Sequence, residues 1–241
     1  MNTRQKIRKS LMWASFLMFP VTFYYLSPYL IIDGAAKGII TGSFILFVLL
    51  FTISLAAGRL FCGWLCPAGG LQEACFRLNN KSSITGKRDL IKYAIWAPWV
   101  VLIGAMLYKA GGVSSIEPFY QTYHGISVSN MYSAVTFLMV GGAIAATAAL
   151  AGKRSFCHYF CWIAPFMVTG RKISNALGTP SLGLKADKSK CTSCMACTKN
   201  CPMSLEANQM VQKGDMENAE CILCGTCADG CPKGAIGYKL G

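Results

Sequence analysis

Four stretches of this chain are long and apolar enough to cross a membrane, and they limit the fold more than any other feature. Residues 11–32 carry no charge, and further apolar runs cover residues 38–58, 90–108 and 131–151. A helix rises about 1.5 Å per residue and a bilayer core is about 30 Å thick, so about 20 residues suffice. The first run exceeds the apolar core of a signal peptide, about 7–15 residues, and reads as an uncleaved span. Pro20 should kink it, with neighbouring helices covering the freed carbonyl. The fourth run is rich in small residues (Gly141, Gly142, Ala145, Ala146), which let helix backbones approach closely.

Charge gives an orientation. The chain is +13 overall, yet residues 1–172 contain only the acids Asp33, Glu73, Asp89 and Glu117. One set of flanks holds Arg4, Lys6, Arg8, Lys9, Arg59, Arg77, Lys81, Lys87, Arg88, Lys92, Lys153, Arg154, Arg171 and Lys172, against Lys37 and Lys109 on the other. That asymmetry puts both termini in the cytoplasm of a multi-pass inner-membrane protein. It also argues against nucleic acid as the partner of the positive charge. All thirteen cysteines fall on the cytoplasmic side, where thiols stay reduced, so metal or cluster ligation is expected rather than disulfides.

The membrane part repeats itself. Spans one and two lead into Gly58-Arg59-Leu60-Phe61-Cys62-Gly63-Trp64-Leu65-Cys66-Pro67, and spans three and four into Lys153-Arg154-Ser155-Phe156-Cys157-His158-Tyr159-Phe160-Cys161. Repeated halves often share a site at their interface. If each Cys-x3-Cys lies on a helix, its thiols share one face. Cys62, Cys66, Cys157 and Cys161 would then converge at the membrane edge, a donor set for a cluster, zinc or Cu(I). A single such pair would read as packed core thiols, and the repetition favours a shared metal or cluster site. Cys75 stands outside the repeat and reads as a packed thiol.

The tail is more specific. Cys191, Cys194, Cys197 and Cys201 form a C-x2-C-x2-C-x3-C-P run, repeated by Cys221, Cys224, Cys227 and Cys231. Three close cysteines wrap one [4Fe–4S] cluster and the fourth ligates the other. Cluster I takes Cys191, Cys194, Cys197 and Cys231, and cluster II takes Cys221, Cys224, Cys227 and Cys201. Zinc does not require this run twice.

The expected fold is an all-α membrane bundle of four transmembrane helices in two repeated hairpins (1–172), a linker (173–186), and a small α+β two-cluster ferredoxin-like domain (187–241). His124 and His158 lie on opposite faces and cannot share a haem iron. Glu73 is expected to pair with Arg77 at i+4. Tyr24, Tyr25, Tyr29, Trp64 and Trp162 read first as an aromatic belt, then as a quinone pocket.

On these residues the chain resembles the NapH-type membrane ferredoxins, which include the polyferredoxin end of NosR-type proteins. The resemblance covers nearly the whole chain and rests on four spans, the residue 59–67 stretch, the second Cys-x3-Cys and the twin cluster tail. One departure is that Cys161 is followed by Trp162, Ile163, Ala164 and only then Pro165. The resemblance implies a non-catalytic relay between cytoplasmic donors or the quinone pool and a partner redox enzyme, working in membrane lipid. A rival reading is a metal-handling or assembly factor that reduces copper at the hairpin thiols.

Overall fold

A computed structural model describes residues 2–241; the side chain of Lys87 lies outside that description. The first apolar run is not one helix. Helix α1 (Thr3–Leu17) stops before Pro20, α2 (Phe19–Thr22) adds one turn, and a 3-10 turn (Tyr24–Leu26) leads to α3 (Pro28–Ala36). Pro20 and Pro28 each open a helix, where a missing N–H costs nothing. The carbonyls released by these breaks are met from neighbouring elements. Pro20 O accepts from Val128 N at 3.0 Å, Leu26 O from Trp162 Nε1 at 2.8 Å and Pro28 O from Trp99 Nε1 at 3.3 Å. The expected kink is therefore a full interruption, with its polar groups satisfied inside the protein as a low-dielectric surrounding requires.

Strand β1 (Ile39–Thr41) precedes α4 (Gly42–Ala57), which is followed by two short helices, α5 (Leu60–Trp64) and α6 (Pro67–Ala74). Helix α7 (Ile91–Lys109) continues through Pro98. Strand β2 (Ser115–Glu117) pairs in parallel with β1, matching Ile39 to Ser115 and Thr41 to Glu117. Asp33 ties this end together, accepting from Tyr120 at 2.6 Å and Gln121 at 2.9 Å. Helix α8 (Met131–Ala151) ends at Gly152, and α9 (Ser155–Tyr159) and α10 (Ile163–Leu177) follow.

Two helical segments, Arg88–Lys109 and Met131–Ala151, are long and apolar enough to cross a membrane, whereas α4 is shorter at 16 residues. Only 6% and 11% of their apolar windows are buried inside the protein. Side chains such as Val101, Leu138 and Leu150 face outward, which a water-soluble core helix would not allow.

The segment expected as a linker is ordered structure. Residues up to Leu177 belong to α10, whose buried face (Ile163, Met167, Val168, Ser174) packs on α4. Strand β3 (Leu182–Ala186) pairs antiparallel with β4 (Ile236–Leu240), Leu184 opposite Tyr238. Gly178 and Pro180 lie in the turn between α10 and β3, and Gly183 lies inside β3. The three short tail helices are α11 (Ala196–Lys199), α12 (Ala207–Lys213) and α13 (Thr226–Asp229). Their core is small: Leu184, Val211, Met216, Leu223 and Ile236.

Candidate cluster sites and their junction

The two hairpin motifs share one backbone course. Gly58 (φ 52°) ends α4 and Gly152 (φ 96°) ends α8, both in the region that disfavours a side chain. Arg59 follows Gly58 directly, and Arg154 follows Gly152 after Lys153. After each short helix the second cysteine folds back: Cys66 N donates to Phe61 O and Cys161 N to Phe156 O, both at 3.0 Å. Cys66 is extended (φ −73°, ψ 118°) and lies outside α5. The thiols of each pair are therefore not stacked on one continuous helix, as the spacing suggested; a tight turn carries the second one.

All four thiols nevertheless enter one buried neighbourhood. Cys62 and Cys157 are 3% and 4% exposed and share a core with Met167, Ile222 and the tail residue Cys224. Cys66 and Cys161 line a cavity of about 440 Å³ walled by Phe19, Phe23, Tyr24, Tyr29, Phe156 and Trp162. Cys62 Sγ lies 3.5 Å from Met167 Sδ, and Gln72 Nε2 lies 3.1 Å from Cys157 Sγ. Burial pushes the Cys66 thiol well above its usual range, and charges on Cys62, Cys157 and Cys161 push the same way. Cys161 is pushed up to about 12 by burial and then by Cys157 and Cys62. Both shifts favour the protonated thiols of Cys66 and Cys161.

The surroundings are cationic. Arg59 and Arg154 are 1% and 0% exposed. Arg59 faces Cys62 and feels Cys157 and Cys161, while Arg154 feels Cys157 and Cys66. Arg59 Nε and Nη2 and Arg154 Nε are buried without a hydrogen-bond partner. Buried guanidinium N–H groups are costly to leave unpaired, so they fit an anionic group among the thiols. Among the described residues no three His, Cys, Asp or Glu side chains are spaced to clasp a single ion.

Glu73 does not pair with Arg77. It accepts from Arg8 at 2.9 Å through both carboxylate oxygens and from Arg154 at 2.5 Å. Burial raises its carboxyl, but Arg154 and Arg8 outweigh that and hold it below the usual range. His158 is fully buried with Nδ1 2.8 Å from Asp89, and its Nε2 has no partner. His124 packs edge-on against Tyr123. Cys75 is buried.

In the tail the two Cys-rich loops are duplicates 30 residues apart. Ser193 and Met195 have positive φ, and so do Leu223 and Gly225. Left-handed backbone in such a loop turns successive N–H groups inward toward an anion. Ser193 N points at Cys191 Sγ (3.5 Å) and Ala235 N at Cys231 Sγ (3.3 Å). One void is lined by Cys201, Cys221, Cys224 and Cys227, and a second by Cys191, Cys194, Cys197 and Cys231. Burial, followed by Cys224, pushes Cys201 up to about 11 and Cys221 up to about 12. Donor chemistry and paired voids fit two iron–sulfur clusters.

The tail is seated on the hairpin motifs. A Cβ added to Gly63 would lie 2.2 Å from Ile222 O, so only glycine admits this approach. Trp64 Nε1 donates to Leu223 O at 3.1 Å and Gln5 Nε2 to Cys224 O at 2.9 Å. Carboxylates of the tail meet bases of the membrane flank: Glu220 with Arg59 and Lys92, Glu217 with Arg171, and Asp229 with Arg4. Glu220 has no sequence signal as a partner, because its bases lie 128 and 161 positions away.

Comparison with known proteins agrees with this arrangement. The family model described as a 4Fe-4S binding domain matches residues 39–85 and again 133–180, one match per half. A 4Fe-4S dicluster domain model matches residues 190–236. An uncharacterized protein of Methanocaldococcus jannaschii is 28% identical over 98% of this chain and 86% of its own. The putative electron transport protein YccM of Escherichia coli is 23% identical, covering 85% of this chain and 57% of its own. The ferredoxin-type protein NapH of Escherichia coli is 27% identical, covering 80% and 64%. No solved structure matches the chain. Its domains are those of a 4Fe–4S iron–sulfur protein. It is similar to ferredoxin-type electron transport proteins of the NapH type.

Proposed function

We propose that this protein is a membrane-bound iron–sulfur electron relay. The observation that carries the reading is the junction of the Cys221–Gly225 loop with the hairpin motifs, where Cys224, Cys62 and Cys157 share one buried core. Cys191, Cys194, Cys197 and Cys231 hold one [4Fe–4S] cluster, and Cys221, Cys224, Cys227 and Cys201 hold the second. Cys62, Cys66, Cys157 and Cys161 hold a further iron–sulfur cluster, a reading supported by the unpaired N–H groups of Arg59 and Arg154. When bound, such clusters supply one-electron transfer. The protein keeps their thiolate ligands close together and excludes water between tail and hairpins.

Both termini face the cytoplasm of the inner membrane, and the chain crosses in two repeated hairpins of two spans each, the first span broken at its prolines. The solvent-facing edge of the tail, where Cys194 is exposed, meets a redox partner protein. The aromatic cavity beside Cys66 and Cys161 suits a flat apolar carrier of the quinone class. The copper-handling reading has one point in its favour, the Met167 thioether beside Cys62.

Metal content of anaerobically purified protein tests the set. About twelve irons per chain are expected, and copper in place of the last four would favour the rival. Cys231→Ala should abolish the cluster wrapped by Cys191, Cys194 and Cys197 and spare its sequence neighbours. Loss of the other cluster alone would show the cross-ligation to be wrong.

A further inference from the structure

Arg59 and Arg154 occupy matching positions, 95 residues apart, in the two halves of the repeat. Each lies at the N-terminus of a five-residue helix that carries the first cysteine of its motif. Both side chains are buried. A solvent-screened arginine has little lasting effect on a redox centre, whereas a buried one is screened far less. Arg59 lies against Cys62, and Arg154 Nη1 donates to the carbonyl of that same residue at 2.6 Å.

Their anchoring is also matched. Glu220 and Glu73 hold them, and each carboxylate has a second base: Lys92 for Glu220 at 2.6 Å and Arg8 for Glu73 at 2.9 Å. Two acids thus face four bases, which leaves the site with surplus fixed positive charge beside four sulfurs. Three guanidinium nitrogens, Arg59 Nε and Nη2 and Arg154 Nε, have no hydrogen-bond partner there. The carboxylates take Arg59 Nη1 and Arg154 Nη2 and the Cys62 carbonyl takes Arg154 Nη1, which leaves these nitrogens over.

We propose that Arg59 and Arg154 form a paired cationic cradle that stabilises the reduced state of the group held by Cys62, Cys66, Cys157 and Cys161. The inference rests on the cluster reading of those four cysteines. One electron added to that group makes it more negative by one unit. The guanidinium charges do not change, since arginine does not deprotonate in proteins, and no proton has to move. Positive charge and N–H donors at the sulfurs favour the extra electron and raise the reduction potential. Arg59 and Arg154 are positioning residues that set electron affinity.

The test is a redox titration of full-length protein in detergent, followed by electron paramagnetic resonance, on wild type, Arg59→Gln, Arg154→Gln and Lys92→Gln. The arginine variants keep the junction closed, because Glu220 retains Lys92 and Glu73 retains Arg8. Lys92→Gln removes a buried base from the same network without touching a hairpin thiol. The expected result is a third signal whose reduction equilibrium falls at least tenfold in each arginine variant, about 59 mV for a one-electron couple. The two tail signals should stay in place, and the third signal should move clearly less in Lys92→Gln, where the base lost is held by Glu220 and both arginines remain at the sulfurs. A third signal that does not move in the arginine variants, or moves as far in Lys92→Gln, overturns the cradle and leaves the cluster reading standing. About eight irons and no third signal in wild type overturn both.

Discussion

Glu73 shows how a residue can be legible in kind and wrong in partner. Its i+4 relation to Arg77 is the only pairing that local sequence offers, and that pair would lie on a solvated helix face. The fold instead places Glu73 between Arg8 and Arg154, at 4% and 0% side-chain exposure. Replacing Glu73 by Gln leaves two buried guanidinium groups without their counter-charge. The expected loss is about 3–5 kcal/mol, the usual cost of breaking a buried pair from one side. Arg77→Ala should stay within about 0.5 kcal/mol. Thermal unfolding in detergent, followed by tryptophan fluorescence, decides between them, and equal effects would return Glu73 to its sequence neighbour. The pH sign follows from its lowered pKa. This stabilisation is present above the ordinary carboxylate range and is lost as pH falls through the lower folded value. The tail cysteines carry a sequence signal for the opposite reason: cluster geometry limits the sequence spacing of neighbouring ligands, whereas an ion pair can join any two positions.

At the level of elements, periodicity and composition found the outward-facing helices and missed the irregular ones. Helices α7 and α8 lie where their apolar runs predicted, because length and lack of charge are sufficient signals. The break in the first run was not visible in hydropathy, which is indifferent to whether Trp99, Trp162 and Val128 will satisfy free carbonyls. The turn inside each Cys-x3-Cys was missed too, since the spacing fits a helix equally well. Gly63 is the element on which the tail junction depends. Gly63→Ala puts a methyl against Ile222 O at 2.2 Å and must push the Cys221–Gly225 loop outward. Overpacking of this kind costs about 1–3 kcal/mol. Hydrogen exchange at residues 221–225 should speed up while α7 and α8 keep their protection. Unchanged exchange there would mean that the junction is looser than the close approach implies.

For the molecule as a whole, sequence reading divided the chain into a membrane part, a linker and a soluble tail, while the structure joins them. The basic flank from which the sequence reading infers an orientation also supplies Arg4, Arg59, Lys92 and Arg171 to the carboxylates of the tail. Charge asymmetry carries no information about such pairings, so docking could not be read from it. The small tail core makes the clusters part of the folding free energy, as in other small metal-dependent domains. Removing iron with a chelator should therefore unfold residues 182–241. It should also loosen the hairpin edge, because Arg59 and Lys92 would lose Glu220. Limited proteolysis of the iron-free protein should cut first beyond Leu177, and hydrogen exchange should rise at residues 59–66. Helices α7 and α8 make few contacts with the tail and should remain protected. If iron-free protein keeps both regions protected, the polypeptide holds the junction without its clusters, and the tail is a preformed scaffold rather than a fold that forms around iron.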